Sequence, residues 1–267
     1  MIIFSDGKKF SIDDQLIKPI DRGFSLGDGI FETIKIKNYH PQLFNFHMDR
    51  FFKSANYLNI EIKFSKRDLK NSIIELSKLN KLKDAVARVT LTRGEGERGL
   101  LGSVLKNSRI FIVLSTFKNT ATPVRAIISQ STRRNEFSPL SKIKSISYLD
   151  NIIAAEEANK NGFDDAILLN TSGRVSESTI SNVFIRVDNN LFTPSVSEGA
   201  LPGTIRRHIL ENYNALEKKI TIEDIKSASE AFLTNALSIK PLVCVDENTV
   251  GAGEVGELTK AITDGFD

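Results

Sequence analysis

The sequence predicts an α/β protein of the α+β kind, divided into two domains. Three observations predict it. Strand-like and helix-like apolar periods alternate along the first part of the chain. Thr116 to Pro123 then interrupts them with Thr, Asn and Pro in place of any periodic apolar pattern. Finally, 267 residues, 40% of them apolar, are enough for two cores. The expected boundaries are a small N-terminal α/β domain over 1–115, a linker over 116–123 and a larger C-terminal domain over 124–267.

Element by element, Gly27-Asp28-Gly29 has turn chemistry, and Ile30 to Ile36 alternates β-branched and aromatic residues with polar ones, so a strand leaves that turn. Phe51, Phe52, Ala55 and Leu58 recur at helical spacing and predict a helix over 47–58; a second is predicted over 65–79, with Ser65 as its N-cap. Ala85 to Thr92 and Arg109 to Ser115 are β-branched strands around a Gly-rich loop. Beyond the linker come a strand at 124–129, a helix from Leu149 to the Asn161-Gly162 stop signal, strands at 166–169 and 183–187, and a helix after Pro202-Gly203. A helical tail is expected over 254–266.

Composition narrows the function. Thirty-six Lys and Arg against 33 Asp and Glu give a net charge of +3, too little for a polyanion-binding surface, so no nucleic-acid partner is expected. The competing class is a non-catalytic anion- or nucleic-acid-binding module using Arg133-Arg134 and Arg206-Arg207. One cysteine, Cys244, and three scattered histidines, His40, His47 and His208, offer neither a disulfide nor a metal-ligand spacing. No basic leader or bilayer-length apolar run is present, which predicts a cytoplasmic protein without a membrane partner.

Gly94-Glu-Gly96-Glu-Arg-Gly99 spells G-x-G-x-x-G after a strand. However, Leu100 to Lys106 opens no helix, and Phe117 to Pro123 carries no acidic residue for a ribose, so the stretch is read as a loop. Its arginines, Arg93 and Arg98, are candidates to clamp a carboxylate.

Lys144 lies in the uncharged stretch Ser145 to Leu149 and its apolar neighbour Ile143, surroundings that suit an imine-forming amine. Glu177 stands between a turn and a buried-looking strand, and Pro202-Gly203 opens a helix whose first N–H groups suit a phosphate. Amine, carboxylate and anion site together fit pyridoxal phosphate, which needs an imine partner, a partner for its ring nitrogen and a phosphate anchor.

Six motifs in order resemble the fold type IV, or class IV aminotransferase, family of pyridoxal-phosphate enzymes. They are Asp21-Arg-Gly-Phe-Ser-Leu-Gly-Asp-Gly-Ile-Phe-Glu-Thr33, His47-Met-Asp-Arg50, Lys144-Ser-Ile-Ser-Tyr-Leu149, Val175-Ser-Glu-Ser-Thr-Ile-Ser-Asn182, Leu201-Pro-Gly-Thr-Ile-Arg206 and Leu233-Thr-Asn-Ala-Leu237. The resemblance implies a two-domain fold with the cofactor in the cleft, and a homodimer acting on a small amino substrate. It implies Lys144 as imine amine and proton shuttle, Glu177 at the pyridine nitrogen and Tyr148 at the phenolic oxygen. Arg50, Thr204, Ile205, Asn235 and Ala236 would hold the phosphate. Phe31, Arg93 and Arg98 are implied substrate contacts, and Thr33 an aid to proton transfer. Within the family, the loop Arg93-Gly-Glu-Gly-Glu-Arg-Gly99 and the segment Asn235-Ala-Leu237 resemble aminodeoxychorismate lyases. The expected reaction is therefore 4-amino-4-deoxychorismate to 4-aminobenzoate and pyruvate. The alternative is transamination of D-amino acids or branched-chain L-amino acids with 2-oxoglutarate.

Overall fold

A computed structural model describes residues 1–100, 107–117 and 122–266. Residues 101–106 of the Gly-rich loop and 118–121 of the expected linker lie outside the described residues. The chain forms two compact units, one of Met1–Lys118 with Ile143–Ser147 and one of Asn119–Lys142 with Tyr148–Asp267.

The first unit contains β1 (Ile2–Ser5), β2 (Lys8–Ser11), α1 (Arg22–Leu26), β3 (Gly29–Lys37), β4 (His40–Pro41), α2 (Phe44–Tyr57), α3 (Lys66–Leu79), β5 (Ala85–Thr92) and β6 (Arg109–Thr116). Six strands pair antiparallel in the order β2-β1-β6-β5-β3-β4. Ile30, Ile34 and Ile36 of β3, Ala87, Val89 and Leu91 of β5 and Ile110, Ile112 and Leu114 of β6 point to one face. There they are buried with Met48 and Phe51 of α2 and Leu69, Ile73 and Leu76 of α3. The two-residue side-chain period puts Phe31, Thr33, Arg88 and Val113 on the opposite face. Ser65 caps α3 in a reciprocal box with Asp68, as its position predicts. Helix α2 starts three residues before the apolar period suggests, from Leu43 at φ +45°.

Ile143–Ser147, which follow the expected linker in sequence, group with the first unit. The reason is backbone pairing. Phe31 N donates to Lys144 O at 2.9 Å and Ile146 N to Gly29 O at 3.1 Å, which completes the edge of β3, and Ile143 enters the first core.

The second unit holds β7 (Val124–Ile128), α4 (Leu149–Lys160), β8 (Asp165–Leu169), β9 (Val175–Ser178), β10 (Asn182–Val187), β11 (Asn190–Pro194), α5 (Thr204–Asn212), β12 (Leu216–Lys218), α6 (Ile222–Lys226), β13 (Glu230–Asn235), β14 (Ser238–Val245), β15 (Asn248–Thr249) and α7 (Glu257–Phe266). Its sheet runs β12-β11-β10-β13-β14-β7-β8-β9, with β15 on β14. It is mixed, because β14, β7 and β8 are mutually parallel and β12 lies parallel to β11. Ala154 and Ala158 of α4 pack on Ala166 and Leu168 of β8, small residues that let the helix approach the strand closely.

Candidate active site

In the first unit, the strand period that buries Ile30, Ile34 and Ile36 also buries Glu32, which is 1% exposed. A carboxylate there is tolerable only if it is paired. Helix α2 supplies the partners three residues apart on one face: His47 Nδ1 donates at 2.7 Å, and Arg50 donates through Nε at 2.7 Å and Nη2 at 2.6 Å. The bidentate grip fixes the plane of the Arg50 guanidinium. Burial alone raises the carboxyl's pKa, but Arg50's charge and the hydrogen bonds from His47 and Arg50 outweigh it and hold Glu32 at about 2. Burial pushes His47 below its ordinary value, so the ring is neutral with its proton on Nδ1, because a carboxylate can only accept.

Lys144 reaches the same neighbourhood from the strand-completing segment. Its Nζ lies 4.4 Å from the centroid of the Phe31 ring, and its charge acts on His47. Phe31 and half-buried Thr33 share the face turned away from the core. Of the sequence candidates in this unit, Lys144, Phe31 and Thr33 therefore come together, with Arg50 held by the adjoining Glu32 cluster.

The two loop arginines stand differently. Arg93 donates through Nε to Asp28 at 2.7 Å, through Nη1 to Asn59 O at 3.1 Å and through Nη2 to Leu58 O at 2.9 Å. Every nitrogen of its guanidinium is engaged in structure, whereas the sequence offered it as a carboxylate clamp. Asp28 also accepts from Arg22 Nε, and Arg22 reaches Gly99 O and Leu100 O, tying the Gly-rich loop to the turn before β3. Burial raises the Asp28 pKa, but the two arginines prevail and lower it. A side chain at Gly94, whose φ is +86°, would stand 1.9 Å from Asn107 O. The glycines that spell a nucleotide fingerprint thus serve loop geometry. Arg98 is exposed on that loop.

In the second unit, Glu177 on β9 is 6% exposed; its Oε2 accepts from Leu201 N at 2.8 Å, and its Oε1 lies 3.0 Å from Arg134 Nε. Arg134 is held in turn by Gly199 O and Ser141 O. Helix α5 begins at Thr204 after Gly203, and a Cβ on Gly203 would stand 2.0 Å from Asn182 Oδ1. The Ile205 side chain is buried, so this residue can meet a ligand only through its backbone. Asn235 donates to Ser181 Oγ at 3.1 Å and accepts from Leu237 N and Ser238 N, which closes the β13–β14 turn that contains Ala236. Tyr148 is half-buried at the start of α4.

Sequence reasoning passed over Glu32, His47 and Arg134. The signal for the first two was present, as the one charge in the inward phase of β3 and a His/Arg pair at i, i+3. For Arg134, 43 positions before Glu177, the sequence carried none. The basic pairs weighed for an anion-binding module are engaged internally: Arg133 bonds Ser129 O and Thr132 O, Arg206 bonds Pro194 O and Glu217, and Arg207 bonds Glu211. Among the described residues there is no metal-ligating cluster, and no helix is long and apolar enough to cross a membrane.

The profile of the Amino-transferase class IV family matches residues 29–242. The aminodeoxychorismate lyase of Bacillus subtilis is 32% identical over 270 residues, covering 98% of this chain and 92% of its own. The D-alanine aminotransferase of Bacillus licheniformis is 29% identical, covering 98% and 94%. The solved branched-chain amino acid aminotransferase of Escherichia coli superposes with a TM-score of 0.93 at 24% identity, covering 99% and 92%, a likeness of fold.

Proposed function

Because this chain belongs to the class IV amino-transferase family of pyridoxal-phosphate enzymes, we propose that it is a lyase converting 4-amino-4-deoxychorismate to 4-aminobenzoate and pyruvate. The observation that carries the choice of reaction is the Arg93–Gly99 loop, which has the lyase pattern. The second reading, transamination of D-amino or branched-chain amino acids with 2-oxoglutarate, is favoured by the D-alanine aminotransferase relative and rests on the same catalytic residues.

The residues present fit the cofactor. Within the second unit, the contact between Gly203 and Asn182 excludes any side chain from the start of α5, which leaves the Thr204 and Ile205 N–H groups for a phosphate, and Asn235 is held in a fixed turn; Arg50 is added to them by the motif resemblance alone. When bound, pyridoxal phosphate supplies an electron sink that acidifies the C–H bond next to the substrate amine. Lys144 Nζ takes that proton and Thr33 assists its movement. Glu177, ion-paired with Arg134, would keep a proton at the ring nitrogen. Tyr148 would donate to the phenolic oxygen. In the lyase reaction a C–H and a C–O bond break, pyruvate departs and the carbocycle becomes aromatic without net redox change. In transamination Lys144 would deliver the same proton back instead of pyruvate being lost.

Aminodeoxychorismate is expected to yield equal amounts of pyruvate and 4-aminobenzoate, while D-alanine or L-leucine with 2-oxoglutarate yields little glutamate. Turnover of the amino acids alone replaces the lyase with the second reading. Gly203→Ala is expected to weaken pyridoxal phosphate binding at least tenfold, read by equilibrium titration of the apoprotein, because the new methyl displaces Asn182 and opens the cradle. The reading includes a homodimer in the cytoplasm, and light scattering at twice the 29.7 kDa chain mass checks the assembly.

A further inference from the structure

The Gly-rich loop is gripped at both ends from one carboxylate, Asp28. Backbone fixes its first half: Arg93 N donates to Asp28 O at 3.1 Å, Arg22 N to Gly94 O at 2.8 Å and Gly96 N to Ile20 O at 3.2 Å. Beyond Gly96 the Arg22 side chain takes over. Its guanidinium is seated on Asp28 through Nε at 2.9 Å, and its outer nitrogens donate to consecutive carbonyls, Nη1 to Gly99 O at 2.9 Å and Nη2 to Leu100 O at 3.0 Å. Arg22 is buried, whereas Arg98, directly before the first of those carbonyls, is exposed.

We propose that Arg22 is the positioning residue of this loop: it fixes where Arg98 stands before a carboxylate-bearing substrate arrives, without touching the substrate itself. The proposal deepens the enzyme reading above and rests on it. A guanidinium is a rigid planar fork, so seating Nε on Asp28 sets the directions in which the other two nitrogens point. Two successive peptide planes are thereby oriented. Asp28 also takes Arg93 Nε at 2.7 Å, so the start of the loop is tied directly and its end through Arg22. An unheld loop loses conformational freedom when its arginine engages a ligand, whereas a loop held beforehand has met that cost in folding. The gain falls on substrate affinity rather than on the chemical step. Lysine at position 22 could keep the ion pair with Asp28, but a single nitrogen does not reproduce the fork. The exposed Lys18–Glu95 pair, 3.1 Å long, also touches the loop, but a solvated pair of this kind contributes little.

The test compares aminodeoxychorismate kinetics and trypsin digestion of the native holoenzyme for wild type, Arg22→Gln, Arg22→Lys, Gly96→Ala and Lys18→Gln. In Arg22→Gln, KM is expected to rise about tenfold, as for one lost charge-assisted contact, with kcat within a few-fold and pyridoxal phosphate affinity unchanged. Cleavage at Arg98–Gly99, identified by mass spectrometry, should accelerate by a similar factor. Arg22→Lys should lie between. Gly96→Ala places a methyl 2.8 Å from Arg22 Cδ and should move both readouts in the same direction, while Lys18→Gln moves neither. Arg98→Gln should raise KM in the wild type and add little in Arg22→Gln, because the two act as one unit. An unchanged KM in Arg22→Gln overturns the proposal, as do additive KM losses for the two arginines or faster cleavage without a KM change. Lost cofactor affinity together with a lower melting temperature makes Arg22 a fold residue only, which also overturns it. A wild type that binds the cofactor but converts only D-alanine overturns the lyase reading alone, and KM for D-alanine then carries the same comparison.

Discussion

Lys144→Ala is expected to lower turnover by about 10³-fold or more and to remove the visible absorption band of the bound cofactor. The amine acts twice, in holding the cofactor and in moving the substrate proton, so its loss is not made good by a neighbour. Lys142, two residues away, is exposed outside the strand-completing segment that aims Lys144 at Phe31. Borohydride reduction of the wild type should fix the cofactor to the peptide containing Lys144, identified by mass spectrometry. A reduced adduct on another lysine, or a persisting band in the alanine variant, would remove the mechanism. Small amines added to the variant should restore part of the rate, because they replace proton transfer without replacing the tether.

The second large effect concerns Glu32. Replacing it by Gln keeps the shape but removes the buried carboxylate that Arg50 and His47 pair with, and breaking such a pair costs about 3–5 kcal/mol. The melting temperature of the apoprotein should fall by roughly 10 °C. Glu32→Gln combined with Arg50→Gln should recover part of the loss, since no stranded charge remains. A single variant within about 1 kcal/mol of wild type, by the usual cost of breaking a buried pair, would show that the cluster is not the stabilising element described here.

The same cluster sets an acid limit. Glu32 is held at about 2 against an ordinary 4.5, so its contribution is complete above pH 4.5 and is lost as pH falls from there toward 2. His47, kept neutral by burial, adds an earlier loss: below its ordinary 6.5 the unfolded chain takes up a proton that the folded ring refuses. Denaturation midpoints measured from pH 7 down to 3 should fall across both ranges, and the lower part of that slope should shrink in Glu32→Gln.

Much of this was legible without the fold. The turn before β3, the capped start of α3, β5, β6 and the long helices follow from periods and caps that a few neighbouring residues express, so a local reading finds them. Strands β1 and β2 and most of the second sheet were not, because short strands whose partners are distant carry little local signal. Lys144, Glu177, Arg50 and the Gly203 helix start were singled out by residue type and motif.

What the sequence by itself determined is which residue types are available for the chemistry and the class of fold that carries them. Tertiary structure alone decided their partners. It returned Ile143–Ser147 to the edge of β3, seated Glu32 between His47 and Arg50, set Arg134 against Glu177, committed Arg93 to Asp28 and laid Arg88 on Phe31. The physical reason is that backbone periodicity is encoded within a few residues. A buried charge, by contrast, is stabilised by groups that chain folding brings from far along the sequence, and no local pattern records which they are.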